Sequence, residues 1–175
     1  MRIHVTYTGG TIGMVQSEHG LVPGADLKGW LYHLLEGTRL DNGRVSITEL
    51  DPLIDSSNAT PDNWQAIIDD LWAHRDDADA FVVLHGTDTM SYSAAALSYA
   101  LTEFGKPVIL TGSQNPLGTV ETDATANVTG AFVPSREKWL WVEKSETIRT
   151  SRYRCHRYGA GHHGTASESY ADTIA

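Results

Sequence analysis

A single cysteine, Cys155, stands in 175 residues, so no disulfide can close within the chain. That composition suits a reducing compartment. No uninterrupted apolar run approaches the roughly 18 residues that a membrane-spanning helix requires. The first residues lack the basic segment, apolar stretch and small-residue cleavage site of a secretory leader, and the expectation is a cytoplasmic protein. Positive charge is scarce as well: 13 Lys and Arg stand against 22 Asp and Glu, a formal net charge of −9. A field of that sign repels a phosphate backbone unless a local basic patch overrides it. One such patch exists, Arg149 to Arg157, with four arginines, and a solvated tail or subunit contact explains it more simply. Nucleic acid and membrane are therefore not expected partners.

What the chain does contain is a regular alternation of strand and helix signals. Arg2 to Thr8 alternates β-branched and polar residues up to Gly9-Gly10, which predicts a strand ending in a tight turn. Gln16 to Gly24 holds Gly20, Pro23 and Gly24 among polar residues and reads as a mobile loop. Asp26 to Leu35 spaces Leu27, Trp30, Leu31, Leu34 and Leu35 as a helix does. Val45 to Leu50 is a short strand before Asp51-Pro52. Thr60-Pro61 supplies a hydroxyl cap and a first-turn proline. The apolar stripe behind it, Trp64, Ile67, Ile68, Leu71 and Trp72, places both tryptophans in the core.

Phe81 to Leu84 is too short for a helix and reads as a buried strand. A helix over Ser91 to Phe104 stops at Gly105. Val108 to Leu110 is a strand running into Thr111-Gly112-Ser113, Asp123 to Phe132 a helix, and Leu140 to Val142 a last strand. The fold class is α/β: three layers, a mainly parallel sheet with helices on both faces. Residues 1–150 form the domain and 151–175 a tail, possible order in which is left open by its lack of apolar periodicity. In such sheets ligands bind beyond the carboxyl ends of the strands. The turns after Thr8, Leu84 and Leu110 belong on that edge.

Two of those turns carry the chemistry. In Thr8-Gly9-Gly10-Thr11-Ile12-Gly13-Met14 the glycines let a ligand approach the backbone closely. Free N–H groups in the turn near Thr11 would suit a carboxylate or a developing oxyanion. The segment lacks the Gly-x-Gly-x-x-Gly spacing of a dinucleotide fingerprint. Thr11 is a candidate nucleophile, since a nearby base can activate a threonine hydroxyl; it is equally a candidate helix cap, the commoner use of threonine. In His85-Gly86-Thr87-Asp88-Thr89-Met90, Asp88 can pair with an ammonium group or polarise Thr87, or it can cap the helix that follows. Cys155, His156, His162 and His163 have zinc-like residue types without regular ligand spacing, and no metal is expected there.

Taken together, these segments resemble the bacterial-type L-asparaginases, the cytosolic type I branch in particular. Ile54-Asp55-Ser56-Ser57 before Thr60-Pro61, and Val108-Ile109-Leu110-Thr111-Gly112-Ser113-Gln114, resemble further family stretches. The likeness covers most of residues 1–133. It implies a threonine-linked, two-step hydrolysis of the L-asparagine side-chain amide without a cofactor. Thr11 is then the nucleophile, Thr87 its assistant and Asp88 the anchor of the α-ammonium. Asp55, Ser56 and Ser57 meet the substrate's α-carboxylate end, with Gly10 and Gly86 lining the same pocket. A homodimer or homotetramer is also implied.

Three departures accompany the resemblance. Family members are about twice this length, with a second domain. Leu21 stands where their loop carries a catalytic tyrosine, and leucine relays no proton. Arg154-Cys155-His156 stands where a lysine is expected, and Lys144 is out of register. Weakened substrate affinity is the expected consequence, and a non-catalytic amino-acid-binding module is the alternative.

Overall fold

The computed structural model describes residues 1–18, 20–41 and 43–132, together with the backbone of 140–142 and 153–155. In chain order the strands are β1 (Ile3–Tyr7), β2 (Met14–Ser17), β3 (Gly20–Pro23), β4 (Val45–Glu49), β5 (Ala80–Leu84), β6 (Val108–Thr111), β7 (Leu140–Val142) and β8 (Tyr153–Cys155). The helices are α1 (Leu27–Leu35), α2 (Pro61–Ala73), α3 (Met90–Ala100) and α4 (Ala124–Ala131). The main sheet runs β4-β1-β5-β6-β7-β8. All its pairings are parallel except β7 with β8.

β1 lies inside the sheet, and all five of its residues are buried. Its side chains divide between the two faces with period two. Ile3, Val5 and Tyr7 join Leu27, Leu31 and Leu35 of α1 and Val128 and Ala131 of α4 in one core. The other face holds a second core, in which Ile67 and Leu71 of α2 and Ala94 and Leu97 of α3 meet Phe81 and Val83. Two covered faces are what an α/β sheet requires.

The order of strands makes β1 a switch point. From β1 the chain moves to β4 on one side, then to β5 on the other. Tyr7 sits level with Glu49 and with Leu84, so three strands end together and their following turns share one edge. This is the crevice in which open parallel sheets hold ligands.

Most predicted elements stand within one or two residues of their expected bounds. The loop expected at Gln16 to Gly24 is instead an antiparallel hairpin, Met14 pairing with Pro23 and Ser17 with Gly20. The turn glycine, Gly20, has φ +100°, and the Ser17 hydroxyl donates to its carbonyl at 2.8 Å. Turn residues were read there without the paired strands around them. Trp64 is half-buried, its indole N–H donating to Ser93 Oγ at 2.9 Å. Trp72 is 41% exposed, which corrects its core assignment. It occupies the last turn of α2, edge-on to Phe104 with Arg75 5.4 Å from its ring centroid. β8 adds a strand within the segment read as a tail. The Arg149–Arg157 patch and the candidate metal residues lie outside the described side chains.

One polar cluster ties α2 to the sheet. The Asp70 carboxylate accepts from His4 Nε2 at 3.0 Å and from Thr6 Oγ1 at 2.6 Å, and His74 Nδ1 lies 3.2 Å away. His4 Nδ1 lies within hydrogen-bond distance of Ser46 Oγ, at 2.8 Å. Burial is the largest single influence on the Asp70 carboxyl and pushes it up. The hydrogen bonds from His4 and Thr6, with the charges of His4 and His74, together outweigh burial and hold it below its ordinary value. A carboxyl lowered on folding stabilises the fold above its unfolded value of about 3.9, and that contribution fades as pH falls through the lower folded value. Asp70→Asn is expected to cost about 2 kcal/mol at neutral pH and to shrink the loss of stability on acidification. Thermal melts of both proteins between pH 3 and 7 check this; a variant with the wild-type profile contradicts it.

Candidate active site

The strand ends are pinned to one another before any catalytic side chain is considered. Thr8 donates its backbone N–H and its hydroxyl to the Leu84 carbonyl, each at 3.0 Å. Ile54 N–H donates to the Thr8 carbonyl at 2.6 Å, and His85 N–H to the Thr111 carbonyl at 2.8 Å. The turns after β1, β4, β5 and β6 are thus fixed side by side.

Gly10 and Gly86 make a tight junction between the turns after β1 and β5. Gly10 has φ +92°, and a Cβ there would lie 2.6 Å from Gly86 Cα and 2.7 Å from Gly86 N. Both facts demand glycine. At Gly86 a Cβ would collide with the Ser56 side chain. The three segments singled out in the sequence therefore converge backbone against backbone. Thr11 and Thr87 each follow one residue beyond the contact.

Thr11 opens a short 3-10 turn, Thr11–Gly13, closed by Gly13 N–H on the Gly10 carbonyl at 3.2 Å. Gly10 occupies the cap position, and no side chain caps the turn. The cap of α3 is Thr89, again without a side-chain cap bond. Neither Thr11 nor Asp88 is used as a helix cap. Thr11 and Thr87 are half-buried and Asp88 is exposed. Among the described residues their side chains make no hydrogen bond.

Asp55 behaves differently. Its carboxylate accepts from Ser57 N–H at 3.0 Å, Ser57 Oγ at 2.7 Å and Asn58 Nδ2 at 2.8 Å. The Ser57 hydroxyl first, then the Ser57 N–H and Asn58, hold it below the usual carboxylate range. Asp55 is thus committed to its own 3-10 turn, Ser56–Asn58, and shapes the site through that turn. Ser56 is buried against Gly86, and Ser57 is exposed.

Beneath the turn lies a residue that was treated in the sequence only as part of a motif. His85 is 1% exposed. Its Nδ1 donates to the Gly86 carbonyl at 2.7 Å, and its Nε2 accepts from Ser93 Oγ at 2.9 Å. Ser93 in turn accepts from Trp64 Nε1. Every donor in this chain meets an acceptor only with His85 neutral and its proton on Nδ1. Burial pushes the His85 pKa down, partly offset by its bond to Gly86. The fourth wall, Gly112 to Asn115, is held by α4. Asp123 accepts from the N–H groups of Gln114 and Asn115 at 3.0 Å, and Asn127 Nδ2 donates to the Gly112 carbonyl at 2.8 Å.

No proton relay is evident among the described residues. Leu21 is 44% exposed on β3. Tyr7 lies at the end of β1 on the α1 face, its hydroxyl against Gly13. Burial and the nearby Glu49 charge push its pKa up to about 12, so it keeps its proton at neutral pH. Lys106 donates to the carbonyls of Arg75 and Ala78, at the opposite end of the sheet. Lys144, Arg154 and His156 lie outside the described side chains.

His4, Asp70 and His74 place ligand atoms within 4.8 Å of one another. The two imidazoles are stacked, centroids 3.8 Å apart and 11° from parallel. A metal sits about 2 Å from a ligating nitrogen and in the ring plane, so rings so placed do not share one ion. A cavity of about 480 Å³ lined by Leu34, Leu35, Leu40, Phe132 and Arg39 opens beside Met1 and Arg44, at the amino ends of β1 and β4. Thr38 and Thr129 also line it, but the Thr38 hydroxyl is engaged, donating to the Leu35 carbonyl at 2.6 Å, and the cavity lies away from the carboxyl ends of the strands, where ligands of such sheets bind.

The mainly parallel α/β sheet thus brings the segments that bear Thr11 and Thr87-Asp88 together at its switch point. The family model "Asparaginase, N-terminal" matches residues 2–138, and the chain belongs to the asparaginase family. L-asparaginase 1 of Escherichia coli (strain K12) is 50% identical over 131 residues, covering 74% of this chain and 39% of that protein. The human 60 kDa lysophospholipase is 37% identical over 154 residues, covering 75% of this chain and 27% of its own length. The crystal structure of L-asparaginase I from Vibrio cholerae superposes with a TM-score of 0.69 at 37% identity, over 87% of this chain and 50% of that one. The chain thus spans about two-fifths of the E. coli relative. Among the described residues no helix is long and apolar enough to cross a membrane.

At pH 6.5, where an unperturbed imidazole is about half protonated, His85 is expected to remain mostly neutral as the Nδ1–H tautomer. Nitrogen-15 NMR of the imidazoles reads this directly. A protonated ring, or the proton on Nε2, contradicts the network.

Proposed function

We propose that this chain carries the site for hydrolysis of the side-chain amide of L-asparagine to L-aspartate and ammonia. The observation that supports the reading is the Gly10–Gly86 contact, which brings together the two segments that bear Thr11 and Thr87-Asp88, side chains without a hydrogen bond among the described residues. Family membership supplies the substrate class.

Thr11 Oγ forms a bond to the side-chain amide carbon. The C–N bond then breaks, and the hydroxyl proton leaves on the nitrogen as ammonia. Water attacks the resulting aspartyl ester, the C–Oγ bond breaks, and a proton returns to Thr11. Thr87 assists the attack, and the turn N–H groups near Thr11 suit the developing oxyanion. Asp88 anchors the α-ammonium with a charge-assisted hydrogen bond. The Asp55–Ser57 turn faces the α-carboxylate end, contributing N–H and hydroxyl donors while the Asp55 carboxylate stays engaged within the turn. No cofactor enters this scheme. A cytoplasmic location and a homodimer or homotetramer belong to the same proposal; the single cysteine supports the first.

Leu21 favours a second reading, an amino-acid-binding module without turnover, because leucine stands where a relay tyrosine is expected. Losing one general acid or base costs about 10²–10⁴-fold in rate. A site without that tyrosine is also more open to water, which weakens its electrostatic contacts, and the hydrolase reading carries a KM at or above about 1 mM, the upper end of the ordinary range.

Ammonia release from L-asparagine is the deciding assay. Turnover in the wild type, abolished in Thr11→Val with an unchanged melting temperature, is the expected result. Full activity in that variant removes Thr11 from the mechanism. Stabilisation by L-asparagine without ammonia establishes the binding module instead. Asp88→Asn is expected to raise KM about tenfold or more, the loss of one charge-assisted bond; an unchanged KM removes Asp88 from ammonium binding.

A further inference from the structure

Thr89 holds the N-cap of α3, where a threonine ordinarily lends its hydroxyl to a free N–H of its own helix. Here that bond is not made. The hydroxyl instead donates across the site to the Ser56 carbonyl at 2.6 Å, between residues 33 positions apart. Within its own turn that carbonyl receives only Ala59 N–H, at 3.3 Å. The cross-link from Thr89 is the shorter bond by far.

Its location gives it a purpose. Thr89 follows Asp88 directly, and Ser56 lies between Asp55 and Ser57. The bond therefore joins the segment that bears the ammonium anchor to the turn that faces the α-carboxylate end. Gly86 is part of the same arrangement, because only a residue without Cβ lets the Ser56 side chain close against it. The catalytic hydroxyl of Thr11 belongs to a third segment that this bond does not touch. We infer that Thr89 is a positioning residue, fixing the distance between Asp88 and the Asp55–Ser57 turn and with it the fit of the site to an α-amino acid head group.

This rests on the proposed function and deepens it: the head group is gripped by two segments whose separation one hydroxyl sets. Loss of that hydroxyl loosens the grip on substrate and product alike, while Thr11 keeps its own segment and Thr87, although on the segment of Thr89, keeps its anchorage beside the Gly10–Gly86 contact. The consequence falls on KM, with kcat largely spared.

The test compares wild type, Thr89→Val, Thr89→Ala and Thr89→Ser. Thr89→Val is nearly isosteric and removes the donor; Thr89→Ala removes it without placing a new methyl group, so a folding failure in one leaves the other. Both are expected to raise KM for L-asparagine and Kd for L-aspartate about tenfold, with kcat within about twofold. Thr89→Ser, which keeps the donor, is expected to restore both to near wild type. A lowered melting temperature with unchanged KM and Kd assigns Thr89 to stability alone and overturns the inference. So does an equal loss in Thr89→Ser and Thr89→Val. A wild type that neither releases ammonia nor binds L-aspartate overturns the proposed function and this inference together. Wild-type turnover with unaltered affinities in the variants sinks this inference alone.

Discussion

The backbone contact between Gly10 and Gly86 is the constraint on which the site depends. Two turns from different parts of the chain approach until a Cβ on Gly10 would be refused space by Gly86, and a Cβ on Gly86 by Ser56. That approach is possible because β1 and β5 are adjacent parallel strands that end level, Tyr7 beside Leu84, with the Leu84 carbonyl holding both the N–H and the hydroxyl of Thr8. The hydroxyls on residues 11 and 87 are consequences of where the glycines are. Sheet register sets the turns, the turns set the glycine contact, and the contact sets the side chains.

A second set of interactions keeps that arrangement from relaxing. His85 is buried and neutral, fastening the Gly86 carbonyl to Ser93 of α3 and, through Ser93, to Trp64 of α2. Asp70 fastens α2 to β1 through His4 and Thr6. Each network places polar groups where water does not reach, and buried polar groups left without partners are costly. Their complete pairing specifies one packing of α2 and α3 against the sheet, and so one geometry at the strand ends. Among the described residues the side chains of Thr11, Thr87 and Asp88 make no hydrogen bond, in contrast to these networks.

Much of this was legible in the sequence. The period-two pattern of β1 and the Thr60-Pro61 helix start gave the right elements, and glycine beside threonine marked the edge where chemistry belongs. Other features were invisible for definable reasons. The β2–β3 hairpin hid behind turn residues, because local composition does not report the pairing of the strands around a turn. Trp72 fits an apolar stripe, yet periodicity does not say where a helix reaches the rim of its core. The cap alternatives for Thr11 and Asp88 could be resolved only by the actual donors, and the bond from Thr89 to Ser56 was invisible because its partners lie 33 residues apart. The resemblance implies a ligand contact at Asp55, and what sequence did not show is that its carboxylate also accepts three bonds from its own turn.

The central claim is that residues 11, 87 and 88 surround one amino-acid-sized space. A crystal structure of the wild-type chain with L-aspartate bound tests it most directly. The expected density has the ligand's side-chain carboxylate between the hydroxyls of Thr11 and Thr87, its ammonium on Asp88 and its α-carboxylate toward Ser57. L-aspartate seated elsewhere, or Thr11 and Thr87 turned away from each other with side chains filling the space between them, would contradict it.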